Sequence, residues 1–351
     1  YVDYNYNYSN IPYALFWQSD YTKVIIINDI EINQAWIDNS SNYVVDSSVR
    51  VYNLISRLTY KLSTDITIST NSVFTFDGPG AILTGVNTTF DGQNKTITIS
   101  GVSGFKGLFQ NGESLTNGQA NITIKNLGVK STGSTLAEWA GWIGRQYFGN
   151  GAANNKIENC YSGGPISASF SGGICGPNAG NTGGTVTVTN CYSDGPISGN
   201  MAGGICGMYA GNAGGTVTVT NCYSDGPISG TEAGGICGST AGYNGTVTIE
   251  NCYSTGPISA NDAGGICGSM AGYSSGTVTV TNCYSTGPIS ATKAGGICGA
   301  DTGYSSGTVT VTNCYSDGAL TAGGQGIIGS IASNATSVTS PNCYIANGSW
   351  S

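Results

Sequence analysis

Cysteine and carboxylate are the two residue types whose pattern in this chain could do chemistry. Cys160, Cys191, Cys222, Cys252, Cys283, Cys314 and Cys343 each follow an asparagine, at steps of 31, 31, 30, 31, 31 and 29 residues. Cys175, Cys206, Cys237, Cys267 and Cys298 form a second series inside GGICG. Thiols placed so regularly could pair as disulfides, hold a metal or fill a core. The C-x2-C spacing of zinc sites is absent, so no metal is expected. From residue 160 onward the acids are Asp194, Asp225, Glu232, Glu250, Asp262, Asp301 and Asp317, and Lys293 is the one base. Sugar-cleaving chemistry needs paired carboxylates. Asp194 and Asp225 share a place in successive repeats, but Thr255 and Thr286 follow there. The chain has no histidine, which removes imidazole bases, Ser-His and Cys-His pairs and His-ligated metals. No catalytic residue and no cofactor is expected.

The elements that carry these groups come from a repeat. From Asn159 the unit NCYSGGPISASFSGGICGPNAGNTGGTVTVT recurs with little change, so each copy is one structural unit stacked on its neighbours. TVTVT alternates with period two and is rich in β-branched residues, the pattern of a half-buried strand. Val217 and Val219 point inward, while Thr216, Thr218 and Thr220 point outward. Asn221 falls at a bend. Cys222, Ser224, Gly226 and Ile228 then share the inward parity, with Tyr223, Asp225 and Pro227 outside. A second short strand is expected at GGICG. One coil per repeat, stacked at strand spacing, is a parallel β-solenoid.

Composition agrees with this reading. The chain has 351 residues, 56 of them glycine, with only 9% charged and a net charge of -8. Its pI near 4.3 offers no footprint for nucleic acid. No apolar run approaches the length of a membrane span. Yet 39% of residues are hydrophobic and regularly placed, unlike a disordered chain.

The motif Gly-Ile-Cys-Gly at Gly173–Gly176, repeated in four further copies to Gly296–Gly299, resembles that of the GLUG repeat family of β-helical surface proteins. Diverged copies stand at Gly141-Trp142-Ile143-Gly144 and Gly326-Ile327-Ile328-Gly329. YKLSTDITI at Tyr60–Ile68, FDGQNKTITISG at Phe90–Gly101 and GLFQ at Gly107–Gln110 are similar to the opening coils of that family. The resemblance spans about residues 59–351 and implies a β-solenoid, with surface, adhesive or secreted roles. Three regions follow: an aromatic-rich cap or assembly segment at 1–58, diverged coils at 59–158 and regular repeats at 159–351. The chain starts at Tyr1 without an initiator methionine, so removal of a signal peptide is an expectation.

Cysteine pairing stays open between two arrangements. Pairing within repeats joins Cys160–Cys175, Cys191–Cys206, Cys222–Cys237, Cys252–Cys267 and Cys283–Cys298, and leaves Cys314–Cys343 to pair as neighbours. Around residue 130 the equivalents Leu127 and Ile143 lack both thiols together, which agrees with this scheme. Joining each GGICG cysteine to the next NC cysteine instead strands Cys160 and Cys343. The other arrangement is a ladder of buried free thiols. Disulfides would imply an oxidising, extracellular compartment.

Outward residues supply the remaining candidates. Tyr161, Tyr192, Tyr223, Tyr253, Tyr284, Tyr315 and Tyr344 form a ladder suited to lateral contacts or sugar stacking. The Thr-x-Thr columns are similar to ice-binding faces, although Glu250 places a charge among them. Sequons stand at Asn7, Asn39, Asn87, Asn94, Asn121, Asn244, Asn334 and Asn347, a count that composition alone explains. The expected function is an extracellular or cell-surface structural and adhesive protein, a self-assembling fibre subunit, with a virion surface fibre as the alternative place. Its partner is itself, head to tail, through the N-terminal segment and C-terminal coil, with glycans as a further possibility. An ice-binding or carbohydrate-binding module is the alternative function, and a polysaccharide-active enzyme comes last.

Overall fold

A TVTVT strand can bury valine on one side only, so it gains most when an identical strand stacks beside it and both valine rows close a common interior. The computed structural model describes residues 14–17, 24–27, 29–55, 57–76, 87–321 and 323–345. They form a nearly all-β parallel solenoid of about 10 turns, 3% helical. The main ladder begins at Asp29–Ile32 and passes through Thr59–Leu62, Thr89–Ser100, Thr123–Thr132 and Asn155–Glu158. It continues through Thr185–Thr189, Thr216–Thr220, Thr246–Glu250, Thr277–Thr281 and Thr308–Thr312 to Ser337–Thr339, always parallel. A second ladder stacks the Tyr-Ser dipeptides from Tyr161–Ser162 to Tyr315–Ser316. GGICG contributes single bridging residues, Gly203 to Gly234 and Cys206 to Cys237, rather than the expected strand.

Each letter of NCYS has a separate cause. Asn190, Asn221 and Asn251 hold φ of 54, 55 and 54°, the left-handed region that asparagine tolerates best among residues with a side chain. Their amides also link the coils: Asn190 Nδ2 donates to Asn159 Oδ1 at 3.0 Å and Asn221 Nδ2 to Asn190 Oδ1 at 3.1 Å. The turn passes the chain from the Thr-Val strand to the Tyr-Ser strand. Beyond it the inward parity holds, with Cys222, Ser224, Gly226 and Ile228 buried.

The interior is two columns rather than one. Val217, Val219, Cys222, Ile236 and Cys237 belong to the larger, and Ile197, Ile228, Ile258, Ala233 and Ala263 to the smaller. Between them runs a seam of serine against glycine. A Cβ on Gly235 would lie 2.6 Å from Ser254 Oγ, and one on Gly234 would collide with the carbonyl oxygen of Cys237. The paired glycines of the motif are therefore fixed by close approach. The hydroxyls of Ser224, Ser254, Ser285 and Ser316 are buried in this seam without a hydrogen-bond partner among the described residues.

The N-terminal end adds two observations. The segment set apart at 1–58 supplies the first described rung, Asp29–Ile32, and Val49–Asn53 pairs in parallel with Ser72–Thr75. Its aromatics belong to the core: Trp36 stacks on Tyr52 at 5.5 Å, Tyr52 on Phe74 at 5.0 Å and Phe74 on Phe109 at 5.3 Å. Ala14–Trp17 and Val24–Ile27 form an antiparallel pair. Tyr1, Tyr4, Tyr6, Tyr8, Tyr13 and Tyr21 lie outside the described residues. The diverged Gly-Trp-Ile-Gly copy also aligns one residue away from its motif. Gly141 bridges Gly172 and Gly144 bridges Cys175, so Gly144 rather than Ile143 takes the thiol's place. Phe148 fills the room that this leaves.

The seam gives a paired test. Gly235→Ala should destabilise by at least about 1–3 kcal/mol, the range for overpacking a close-packed interior. Ser254→Ala should leave stability unchanged or raise it, because it removes a buried hydroxyl with no partner. Thermal denaturation of both variants reads the two signs.

Candidate functional site: thiol ladders and aromatic stripes

A turn at asparagine breaks the strand ladder and leaves the next backbone N–H needing an acceptor. Sulfur supplies it. The N–H of Cys191 donates to Sγ of Cys222 at 3.4 Å, and Cys160, Cys222, Cys252 and Cys283 donate likewise to the next cysteine. The Cys191 thiol lies 3.3 Å from the carbonyl oxygen of Thr189 and 3.5 Å from that of Ile157. Each such thiol thus accepts one hydrogen bond and has carbonyls to donate to.

All twelve cysteines are free in the structure, eleven buried and Cys343 partly exposed. The second series also makes contacts along its own column, Cys175 to Cys206 and Cys267 to Cys298. The pairs Cys160–Cys175, Cys191–Cys206, Cys222–Cys237, Cys252–Cys267, Cys283–Cys298 and Cys314–Cys343 are accordingly not joined here. Parallel stacking sets each thiol beside its counterpart one coil away, Cys314 beside Cys343 included, and the thiols of Cys222 and Cys237 are near enough across the core to interact. Burial, and then the neighbouring thiol of Cys191, pushes Cys222 well above the ordinary thiol range, which makes it a poor nucleophile.

The tyrosine ladder is a continuous stack. Ring centroids are 5.0 Å apart from Tyr161 to Tyr192, 4.8 Å to Tyr223, 4.8 Å to Tyr253, 4.9 Å to Tyr284 and 5.3 Å to Tyr315. Tyr344 follows in register with Tyr315. The planes tilt by only 2° on either side of Tyr223. Each inner ring therefore has both faces covered by neighbours, and sugar stacking on those faces is sterically closed. Edges and hydroxyls remain outside. Lys130 lies 5.9 Å from the Tyr161 ring centre and covers that end. Burial, then the phenols of Tyr192 and Tyr253 and the carboxylates of Asp194 and Asp225, raises Tyr223 to about 12.

A second aromatic stripe escaped the sequence reading. Trp139 stacks on Phe170 at 4.3 Å and lies 6.5 Å from Tyr209, which meets Tyr243 edge-on at 5.4 Å. Tyr243, Tyr273 and Tyr304 then stack at 4.9 and 5.4 Å. The spacings of 31 between Trp139 and Phe170 and of 30 and 31 among the three tyrosines were the available signal. Change of residue type from coil to coil obscured it.

Among the described residues the carboxylates from Asp194 to Asp317 line none of the hollows beside Asn313, Asn87 and Arg50. Burial, then Asp225, raises Asp194 above the usual carboxylate range, while Asp225 accepts from Thr255 Oγ1 at 2.8 Å. Burial likewise raises Glu232, with Asp262 and Asp301 adding repulsion and the Ser239 hydroxyl, at 3.3 Å, opposing. Hollows of 460 Å³ by Asn313, Tyr315 and Tyr344 and of 530 Å³ by Asn87, Asn121, Thr123, Asn154 and Lys156 contain no carboxylate. One of 250 Å³ holds Asp38 beside Arg50. No group of three metal-ligating side chains occurs among the described residues. Asn39, Asn87, Asn94, Asn121, Asn244 and Asn334 are exposed, whereas Asn7 and Asn347 lie outside the described residues. No helix among the described residues is long and apolar enough to cross a membrane.

No family model matches the chain, and no curated protein matches it. Among solved structures it is similar to one described as "a putative immunoglobulin A1 protease from Bacteroides ovatus". The two share 23% identity over 67% of this chain and 70% of the other, with a TM-score of 0.41. That likeness concerns the fold and carries no activity across.

Two measurements check the site. Alkylation of the unfolded, unreduced chain should label all twelve cysteines; linked peptides containing Cys222 and Cys237 would restore the within-repeat pairing. In spectrophotometric titration Tyr223 should ionise near pH 12 rather than 10. Its folded pKa is raised, so its stabilising contribution is complete below pH 10 and is lost as pH rises from 10 toward 12. Thermal stability should therefore fall across that window, and Tyr223→Phe should reduce the fall.

Proposed function

We propose that this chain is a structural and adhesive solenoid of the GLUG-repeat type, a self-assembling subunit of an extracellular surface fibre. One observation carries the reading: in the regular repeats most inward positions meet the same residue type one coil away, the exceptions being close in kind, as where Ile249 lies between Val219 and Val280. Val217 stacks on Val186 and Val247, Cys206 on Cys237, and Ile228 on Ile258. A coil complementary to a copy of itself suits growth by repetition, and a head-to-tail contact that does not close makes a filament. The dispersed carboxylates and covered tyrosine faces favour a scaffold over a polysaccharide enzyme or a sugar platform. The N-terminal segment covers the final coil of the next subunit by strand addition.

The deletion that tests this must spare the first rung. Ile32 and Ile37 are buried and Trp36 packs on Tyr52, so removal through Trp36 would unfold the opening coil. Removal of residues 1–28 keeps Asp29–Ile32. The intact chain should form filaments by electron microscopy and large species in sedimentation, and the deletion should give a folded monomer. An intact chain that stays monomeric at high concentration overturns the fibre reading. A deletion that still polymerises removes the N-terminal segment from the contact.

A further inference from the structure

The Thr-x-Thr face remains unused by the fibre reading. Its register is more regular than the sequence alone guarantees. Thr185, Thr216, Thr246, Thr277 and Thr308 stand opposite one another in turn, followed by Ser337. Thr187, Thr218, Thr248, Thr279 and Thr310 form a second unbroken column, ending at Thr339. The third column, Thr189, Thr220, Glu250, Thr281 and Thr312, is interrupted once. Within the regular repeats Glu250 is the one charge in these columns, and at the border Lys156 and Glu158 pair at 3.7 Å opposite Thr187 and Thr189. Among the threonines of these columns only Thr185 has a hydroxyl hydrogen-bonded within the chain, accepting from the N–H of Asn154 at 2.7 Å.

Packing does not require this uniformity. At another outward register successive coils carry Phe170, Met201, Glu232, Asp262 and Lys293, so a ring, a thioether and both charges are tolerated there. The tyrosines repeat because their rings stack; a half-buried strand favours threonine, but it favours valine, isoleucine and tyrosine as well, so strand propensity does not by itself demand a hydroxyl at every coil. Hydroxyls persist at Ser337 and Thr339 even where the Gly-Ile-Cys-Gly motif has become Gly-Ile-Ile-Gly. Protein partners are gripped by aromatic and arginine anchors in desolvated pockets. The two columns present neither. They present translation in two directions, ~4.8 Å between coils and about 6.6 Å between alternate residues of a strand, with a hydroxyl and a methyl group at nearly every point. A surface that recognises repetition alone fits a crystal lattice, and free hydroxyls alternating with methyls fit a lattice of water. We propose that this face binds ice.

The experiment uses the intact chain and its variants in a thermal-hysteresis and ice-shaping assay, with circular dichroism confirming the fold. Wild type should depress the growth temperature and facet the crystal. Thr218→Lys combined with Thr279→Lys should abolish both effects. Glu250→Thr completes the third column and should increase hysteresis, an effect that a purely structural face would not produce. The proposal is overturned by an inactive wild type, by full activity in the double lysine variant, or by no gain from Glu250→Thr. Adsorption to crystalline cellulose or chitin without any effect on ice growth would also overturn it, in favour of a polysaccharide lattice.

Discussion

In-register parallel hydrogen bonding places each side chain about 4.8 Å from its counterpart on the next coil, and the rest of the molecule depends on that constraint. Only residues that tolerate their own company can occupy such positions. Like charges stacked at this distance repel, which accounts for the scarcity of charged residues in the repeats. Asparagine links to asparagine through its amide, tyrosine covers tyrosine, and the sulfur of one cysteine receives the N–H of another. Where acids do stack, as at Asp194 and Asp225, burial and then the neighbouring carboxylate raise Asp194, and threonine takes the next two coils before Asp317.

Much of this was legible in the residues because a period of two survives in both Thr-Val and Cys-Tyr-Ser segments. Val217, Cys222 and Ile228 could be assigned to the inside from parity alone. The seam could not. Ser224 reads as a polar residue whose parity conflicts with its chemistry, and only contact with the glycine backbone of the neighbouring motif explains its burial. Thiol partners were equally hidden, since a spacing of half a coil says nothing about which group accepts a backbone hydrogen bond at the turn. The opening coil could not be read from the repeats because its strands share no motif with them, although Asp29–Ile32 and Thr59–Leu62 pair in the same way.

The two aromatic stripes illustrate how similar composition gives different surfaces. In one, every ring keeps the same register and a nearly constant plane, so faces are consumed by stacking. In the other, the run shifts register between Tyr209 and Tyr243, where the rings meet at 81°. That break leaves ring edge against ring face instead of a uniform column. Acids at Glu232, Asp262 and Asp301 interact with one another on the neighbouring corner, so the two sides of the solenoid differ in character despite a shared repeat.

The serine–glycine seam has a mechanical consequence. Two parallel columns of close-packed side chains joined by a thin web of backbone contact form a beam with flanges. Material set away from the central axis resists bending in the plane through both columns more than bending across it. A rod of such cross-section has a stiff direction and a compliant one, and thermal curvature along it would be planar rather than isotropic.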